Sequence, residues 1–344
     1  MSLVEAAPVL RDPAFHPYID FHADTLMMFS DGPEGPKEGP RAGLKPDLWD
    51  FPQGMVDIRR LAEGGCEAQF FSTFLPPENH MTQSDESYRS HLYDGLTDAV
   101  KKYPDKIAFA KSYEDLISNK AKGLISLFLT FEDGRMVKSL DLLDQYYQLG
   151  YRLITLTWNH SNCLGNPSSD DPLDMEKGLT PLGKDVVQRM NELGMIVDVS
   201  HLSDRGFWDV ADVSSKPFVA SHSCCRALNP HRRNLTDPML RRLAEKGGFI
   251  GINFFSYFCG RSVKDEYSRV EDICDHIEHA VNTAGIDSVG LGSDFDGFDS
   301  ICDVASPLDM HKIFEELEKR GWKWGQIEKI AHENAGRVIK DILD

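Results

Sequence analysis

Short apolar, β-branched runs alternate with amphipathic stretches along this 344-residue chain, and that alternation restricts the fold more than any other feature. The strand-like runs fall at 18–24, 66–74, 123–131, 151–158, 195–201, 217–222, 249–255 and 288–294. Helical patterns lie between them at 55–64, 138–149, 181–193, 236–247 and 271–284, with a last one near 325–342. Regular β–α alternation implies a parallel sheet, and eight strands favour closure into a (β/α)8 TIM barrel. An open doubly wound sheet is the alternative, but no G-x-G-x-x-G follows the first strand. The length suits a single barrel domain over 1–344. The one compositional break is a Gly/Pro-rich β1α1 loop at about 27–54, densest from Asp31 onward. It follows the first strand, on the face where barrels carry their sites, either as a solvated excursion or as a lid or dimer contact.

Four of the runs end in residues that bind metals. Ile-Asp-Phe-His-Ala-Asp carries His22 and Asp24, Leu-Phe-Leu-Thr-Phe-Glu carries Glu132, Val-Asp-Val-Ser-His carries His201, and Val-Ala-Ser-His carries His222. In a (β/α)8 barrel the C-terminal strand ends converge on one mouth. Three imidazoles and two carboxylates meeting there suit zinc, and two ions if one carboxylate bridges. His22 and Asp24 are two apart, so on a strand both side chains share a face. Glu132 ends the apolar run Leu124 to Phe131, where a carboxylate costs several kcal/mol unless it is paired or binds a cation. Singly each residue is more often structural. Jointly they point to a hydrolytic metal centre.

Asp294 closes the eighth run in Val-Gly-Leu-Gly-Ser-Asp-Phe-Asp-Gly, where glycines allow close backbone approach to a ligand or metal. It is placed to accept the proton of a metal-activated water. Asp296, in the following loop, is the second choice.

The net charge of -18 argues against nucleic acid as a partner, since that needs a basic footprint. Seven cysteines without a C-x-x-C pair suit a reducing compartment. Residues 1–17 lack a signal-peptide pattern, no stretch approaches the roughly 20 apolar residues of a membrane span, and no hydrophobic anchor tail is seen. A cytoplasmic protein with no membrane anchor is expected.

Together His22-x-Asp24, Glu132, Asp198-Val-Ser-His201, Ser221-His222-Ser, Arg232-Arg233-Asn234 and Gly292-Ser-Asp294-Phe-Asp-Gly resemble the membrane (renal) dipeptidase family of binuclear zinc peptidases. The match keeps the family's order over essentially the whole chain. The resemblance implies an amidohydrolase-like barrel holding two zinc ions. His22 and Asp24 would bind one and His201 and His222 the other, with Glu132 as the bridge. It further implies that Arg233 holds the C-terminal carboxylate of a dipeptide, a task that suits a guanidinium fork. A metal-bridging hydroxide would attack the peptide bond, with Asp294 carrying the proton. The family often has a histidine directly after the fourth strand, where this chain reads Trp158-Asn159-His160. Either His160 replaces it after a two-residue shift, or Trp158 takes its place. A homodimer is expected. The alternatives are a related hydrolase acting on N-acyl amino acids, lactams or esters, and, last, a non-catalytic binding barrel.

Overall fold

A computed structural model describes residues 16–32, 35, 45–77 and 83–344. In chain order its strands are β1 (Tyr18–Ala23), β2 (Cys66–Phe74), β3 (Ile107–Phe109), β4 (Ile125–Glu132), β5 (Tyr151–Thr155), β6 (Ile196–Asp198), β7 (Val219–Ser223), β8 (Phe249–Ile252), β9 (Tyr267–Ser268), β10 (Val289–Leu291) and β11 (Ile301–Cys302). Strands β1, β2, β4, β5, β6, β7, β8 and β10 pair in parallel in that order, and β10 returns to β1, closing a (β/α)8 barrel. Each of the eight expected runs supplies one barrel strand. β3 was not expected. It borders the start of β4, along the edge that β5 takes over from Leu129, and three residues are too few to show a period. Of the Gly/Pro-rich loop, positions 33, 34 and 36–44 lie outside the described residues.

Helices follow the strands because the chain supplies their starts. Ser112, Ser139, Thr180, Ser203 and Thr236 each accept a backbone N–H in the first turn of the next helix, worth about 1 kcal/mol apiece. Among the described residues no helix is long and apolar enough to cross a membrane.

The barrel interior has an apolar floor. Phe21, Phe70, Phe128, Leu153, Ile196, Val219 and Phe249 come from successive strands and form one buried cluster. Phe21 stacks on Phe70 at 4.0 Å, and Phe70 on Phe128 at 4.5 Å. Ala335, Val338, Ile339 and Ile342 of the C-terminal helix Asn334–Leu343 pack on this layer and close the end opposite the site. Above the floor the interior turns polar. On β4, Phe128, Thr130 and Glu132 share a face by the strand period of two, so the same strand supplies floor and mouth.

Several expected strands run too far. Residues 156–158, 199–201, 253–255 and 292–294 have left the ladder. The backbone gives up extended geometry where polar side chains must turn into the mouth. Asp294, at φ 65°, is in the left-handed region, which Asp tolerates better than most residues.

Two joints of the barrel are thinly laddered. Within the strands β1 and β10 share the single residue pair Asp20–Leu291, continued past β10 by an isolated bridge between Ala23 and Phe295, and β6 and β7 the pair Asp198–Val219, where every other barrel pairing has three or more. A buried aspartate and a serine fasten each joint. Ser293 Oγ donates to Asp20 Oδ2 at 2.6 Å, and Ser221 Oγ to Asp198 Oδ2 at 2.6 Å. The glycines near Asp294 divide between two tasks: a Cβ on Gly292 would lie 1.7 Å from the Ser221 carbonyl oxygen of β7, so it serves strand packing, whereas a Cβ on Gly297 would lie 2.4 Å from Asp294 Oδ1 and 2.7 Å from Asp24 Oδ2, so it permits close approach at the site. Gly292→Ala should therefore force backbone apart and destabilise the fold by about 1–3 kcal/mol or more. Urea denaturation checks this, and an unchanged midpoint would mean the strands separate freely at that point.

Candidate metal centre

The strand-end residues meet at one mouth, around Glu132. This carboxylate is 2% exposed, and its two oxygens face different partners. Oε2 lies 2.9 Å from His22 Nε2. Oε1 lies 2.7 Å from His201 Nε2 and 3.5 Å from His222 Nε2. On the far side of His22 stand Asp24 Oδ1 at 3.5 Å and Asp294 Oδ1 at 3.7 Å. The His22 and His222 rings lie 3.8 Å apart.

His22 and Asp24 do not arrive by simple strand alternation. The β1–β2 register shifts between Asp20 and Ala23, and Asp24 lies past the strand at the start of a 3-10 turn, Thr25–Phe29. The shift lets neighbours Phe21 and His22 both reach interior side chains, Phe21 the floor and His22 the mouth. The main chain of β10's exit is tied to this turn, with Asp294 N–H donating to the His22 carbonyl at 3.2 Å and Asp24 N–H to the Phe295 carbonyl at 2.9 Å.

Burial and mutual charge set the protonation states. Burial works against charge on His22, but Glu132 and Asp24 outweigh it and hold its pKa well above the ordinary histidine value. Burial likewise favours neutral Glu132, and His22, His201 and His222 reverse this, holding it well below the carboxylate range. Burial, reinforced by the Arg233 guanidinium, takes His201 down to about 4. Burial and the charge of His22 keep His222 well below the usual value. Asp294 is pushed up to about 7 by burial, with His22 opposing and Asp24 and Glu132 adding.

The donor set fits a divalent metal. His22, Glu132 and His222, and again His22, Asp24 and Asp294, offer ligand atoms within 4.8 Å of one another. His22 Nδ1 and Asp24 Oδ1 are buried with no hydrogen-bond partner, and the His201 and His222 Nε2 atoms face each other at 3.1 Å. Nitrogen and oxygen lone pairs crowded this closely require a cation or protons between them. Imidazole and carboxylate donors suit zinc.

Arg233 lies beside this cluster, 3% exposed. Its Nη2 reaches the His222 carbonyl at 3.4 Å and Nη1 the Ser223 hydroxyl at 3.5 Å, its Nε has no partner, and Phe258 lies 5.2 Å beneath it. Burial lowers its pKa to about 10. Of the two other expected residues, Trp158 sits with its ring 6.3 Å from that of His201, while His160 is exposed, 5.7 Å from Trp158, on a polar cavity bordered by Asn159, Ser168 and Arg232. Asp296 is engaged elsewhere, accepting from the Thr25 hydroxyl and the Met55 N–H, each at 2.6 Å.

Three supporting residues escaped the sequence reading. Asn253 donates to Asp294 Oδ2 at 2.8 Å. It closes the apolar run of β8 as Glu132 closes β4, so the same strand-end signal marks it. Asp198 stands three residues before His201 in Asp-Val-Ser-His, where the sequence alone does not distinguish a supporting carboxylate from a strand-end cap. Asn159, whose Oδ1 lies 3.1 Å from His201 Nδ1, sits in an exposed loop and carries no signal.

Comparison with known proteins places the chain among one set. The model of the membrane dipeptidase family, peptidase family M19, matches residues 8–344. Dipeptidase tcpJ of Claviceps purpurea is 32% identical over 301 residues, covering 85% of this chain and 70% of that protein. An uncharacterized dipeptidase of Schizosaccharomyces pombe is 34% identical over 310 residues, covering 85% and 74%. The solved structure of dipeptidase AC, a metallopeptidase of family M19, superposes with a TM-score of 0.83 at 25% identity, over 95% of this chain and 98% of that one. A Rhodobacter sphaeroides metallopeptidase liganded with a phosphinate mimic of L-Ala-D-Ala shares the fold, with a TM-score of 0.83 at 24% identity over 95% and 99%.

Glu132→Gln keeps shape but removes the charge on which three imidazoles converge. Zinc affinity, measured by competition with a chromophoric chelator, should fall by at least roughly 10–100-fold, the loss typical even of outer-shell changes. Wild-type affinity in the variant would remove Glu132 from the centre.

Proposed function

The chain belongs to the membrane dipeptidase family, peptidase family M19, and is a metallodipeptidase; from that premise we propose that it cleaves dipeptides bearing a free C-terminal carboxylate, with two zinc ions held across Glu132. The state of Arg233 carries the substrate class. Among the described residues no carboxylate lies within ion-pair distance of this buried guanidinium. A buried charge without a partner costs several kcal/mol, so the site favours an anion there, and a carboxylate matches the fork. A lactam or ester substrate without that group would leave the cost in place.

In this reading His22 and Asp24 would hold one ion and His201 and His222 the other, with Glu132 shared between them. When bound, zinc would acidify a water and polarise the scissile carbonyl. Asn253 fixes Asp294 Oδ2, which leaves Oδ1 to take the proton of the attacking water and return it to the departing amine. In the metal-free site burial holds Asp294 above the ordinary carboxylate range, so the carboxyl can keep a proton once it has taken one. Arg233 anchors the far end of the substrate, which orients it and limits its length. Trp158, beside His201, lies nearer the reacting bond than exposed His160.

Two substitutions test the scheme. Arg233→Met should lower kcat/KM for dipeptides by roughly 10–100-fold, the worth of a charged hydrogen bond, and far less for C-terminally amidated ones. Equal cleavage of free and amidated dipeptides by the wild type would sink the carboxylate anchor. Asp294→Asn should lower kcat by roughly 10²–10⁴-fold with zinc content, measured by elemental analysis, little changed. Activity loss that tracks zinc loss would make Asp294 chiefly a ligand.

A further inference from the structure

Asp198 is fully buried and lies behind the metal centre rather than in it. Its Oδ1 accepts from the Ser221 N–H at 2.8 Å, the Ser200 N–H at 3.1 Å and the Ser200 hydroxyl at 2.6 Å. Its Oδ2 accepts from the Thr155 hydroxyl and the Ser221 hydroxyl, each at 2.6 Å. One carboxylate thus gathers β5, β6 and β7.

The count of protons has a consequence at the next residue. A serine hydroxyl has one proton and two lone pairs. Ser221 Oγ commits its proton to Asp198, because two oxygens at 2.6 Å without a proton between them would repel. Yet the same Oγ lies 2.7 Å from His222 Nδ1. Ser200 offers no replacement proton, since its own goes to Asp198 Oδ1. The contact is therefore made by a proton on His222 Nδ1, with Ser221 Oγ accepting.

We propose that Asp198 is a positioning residue: acting through the Ser221 hydroxyl, it holds the His222 proton on Nδ1 and turns a bare Nε2 toward the cation. This rests on the metallodipeptidase reading above. A carboxylate bonded directly to a ligand imidazole would do the same task, but here a serine is interposed. The short relay also fixes the ring plane, because His222 N–H donates to Ser200 Oγ at 3.1 Å and so ties main chain and side chain to the same carboxylate. His201 is served differently, by the amide oxygen of Asn159, so the two imidazoles on the Oε1 side of Glu132 are oriented by separate devices.

The test uses the full chain without substrate. Asp198→Asn risks the fold, because five hydrogen bonds end on that carboxylate, so Ser221→Ala is the primary variant. It removes the relay and leaves Asp198 its bonds to Thr155, Ser200 and the Ser221 N–H. Long-range ¹H–¹⁵N spectra of the metal-free, ¹⁵N-labelled protein read the His222 tautomer, and competition with a chelator reads zinc affinity. In the metal-free wild type the proton between His201 Nε2 and Glu132 Oε1 is carried by His201, and His222 should show a protonated Nδ1 and an unprotonated Nε2. Ser221→Ala should lose that preference and bind the more weakly held zinc roughly 10–100-fold less tightly. Ser221→Thr, which restores a hydroxyl, should recover both. A wild type protonated on Nε2, or a Ser221→Ala variant with unchanged tautomer or unchanged zinc affinity, would overturn the proposal. Since neither readout involves turnover, a wild type that binds zinc but hydrolyses no dipeptide would defeat the catalytic reading and leave the relay intact.

Discussion

A carboxylate almost sealed from water must be compensated, and the architecture around Glu132 answers that requirement. β4 carries it inward above an aromatic floor that offers no hydrogen bonds. Compensation therefore has to come sideways, from imidazoles on β1, at the exit of β6 and on β7. Each oxygen takes its own set, His22 on one side and His201 with His222 on the other. The same low-dielectric floor that makes the charge costly makes its pairing strong, so the geometry of three strands is fixed by one side chain. Without a cation a protonated His22 supplies the positive charge. A bound metal would compete with that proton for the imidazole.

The opposite problem appears at Arg233. There the compensating charge is missing from the chain itself, and the guanidinium is held over Phe258 with only marginal contacts. One mouth thus contains a buried anion with its partners supplied and a buried cation with its partner left out. The difference separates what the protein keeps from what it receives.

Much of this was legible in the sequence, for physical reasons that can be named. The eight strands were visible because each barrel strand is buried on both faces and reads as an apolar run. Glu132, His201, His222 and Asp294 stood out because a polar residue ending such a run is costly. The same grammar failed where burial does not mark the run. β3 is too short for a period, and Asn159 lies in an exposed loop, so only the fold brings it to His201. The expected strands run past the observed ends because 199–200 and 292–293 keep apolar or small residues after leaving the ladder. For His22 and Asp24 the expected convergence holds but its cause differs. A register shift and a 3-10 turn bring them together, and neither has a residue signature. Of the glycines around Asp294, Gly297 lies against the site carboxylates as expected, whereas Gly292 answers to the Ser221 carbonyl of β7, beyond the intervening β8.

The two thin joints divide the barrel into unequal arcs, β1–β2–β4–β5–β6 and β7–β8–β10. His22, Asp24, Glu132 and His201 travel with the larger arc, and His222, Asn253 and Asp294 with the smaller. The centre therefore straddles both joints, and neither arc alone can assemble it. Each arc has internal ladders of its own, but the site exists only when the arcs meet. A cation held between them would act as a rivet. Its binding energy would favour the closed ring over the parted arcs, so that metal loss would loosen the cylinder along its joints before it melted the strands.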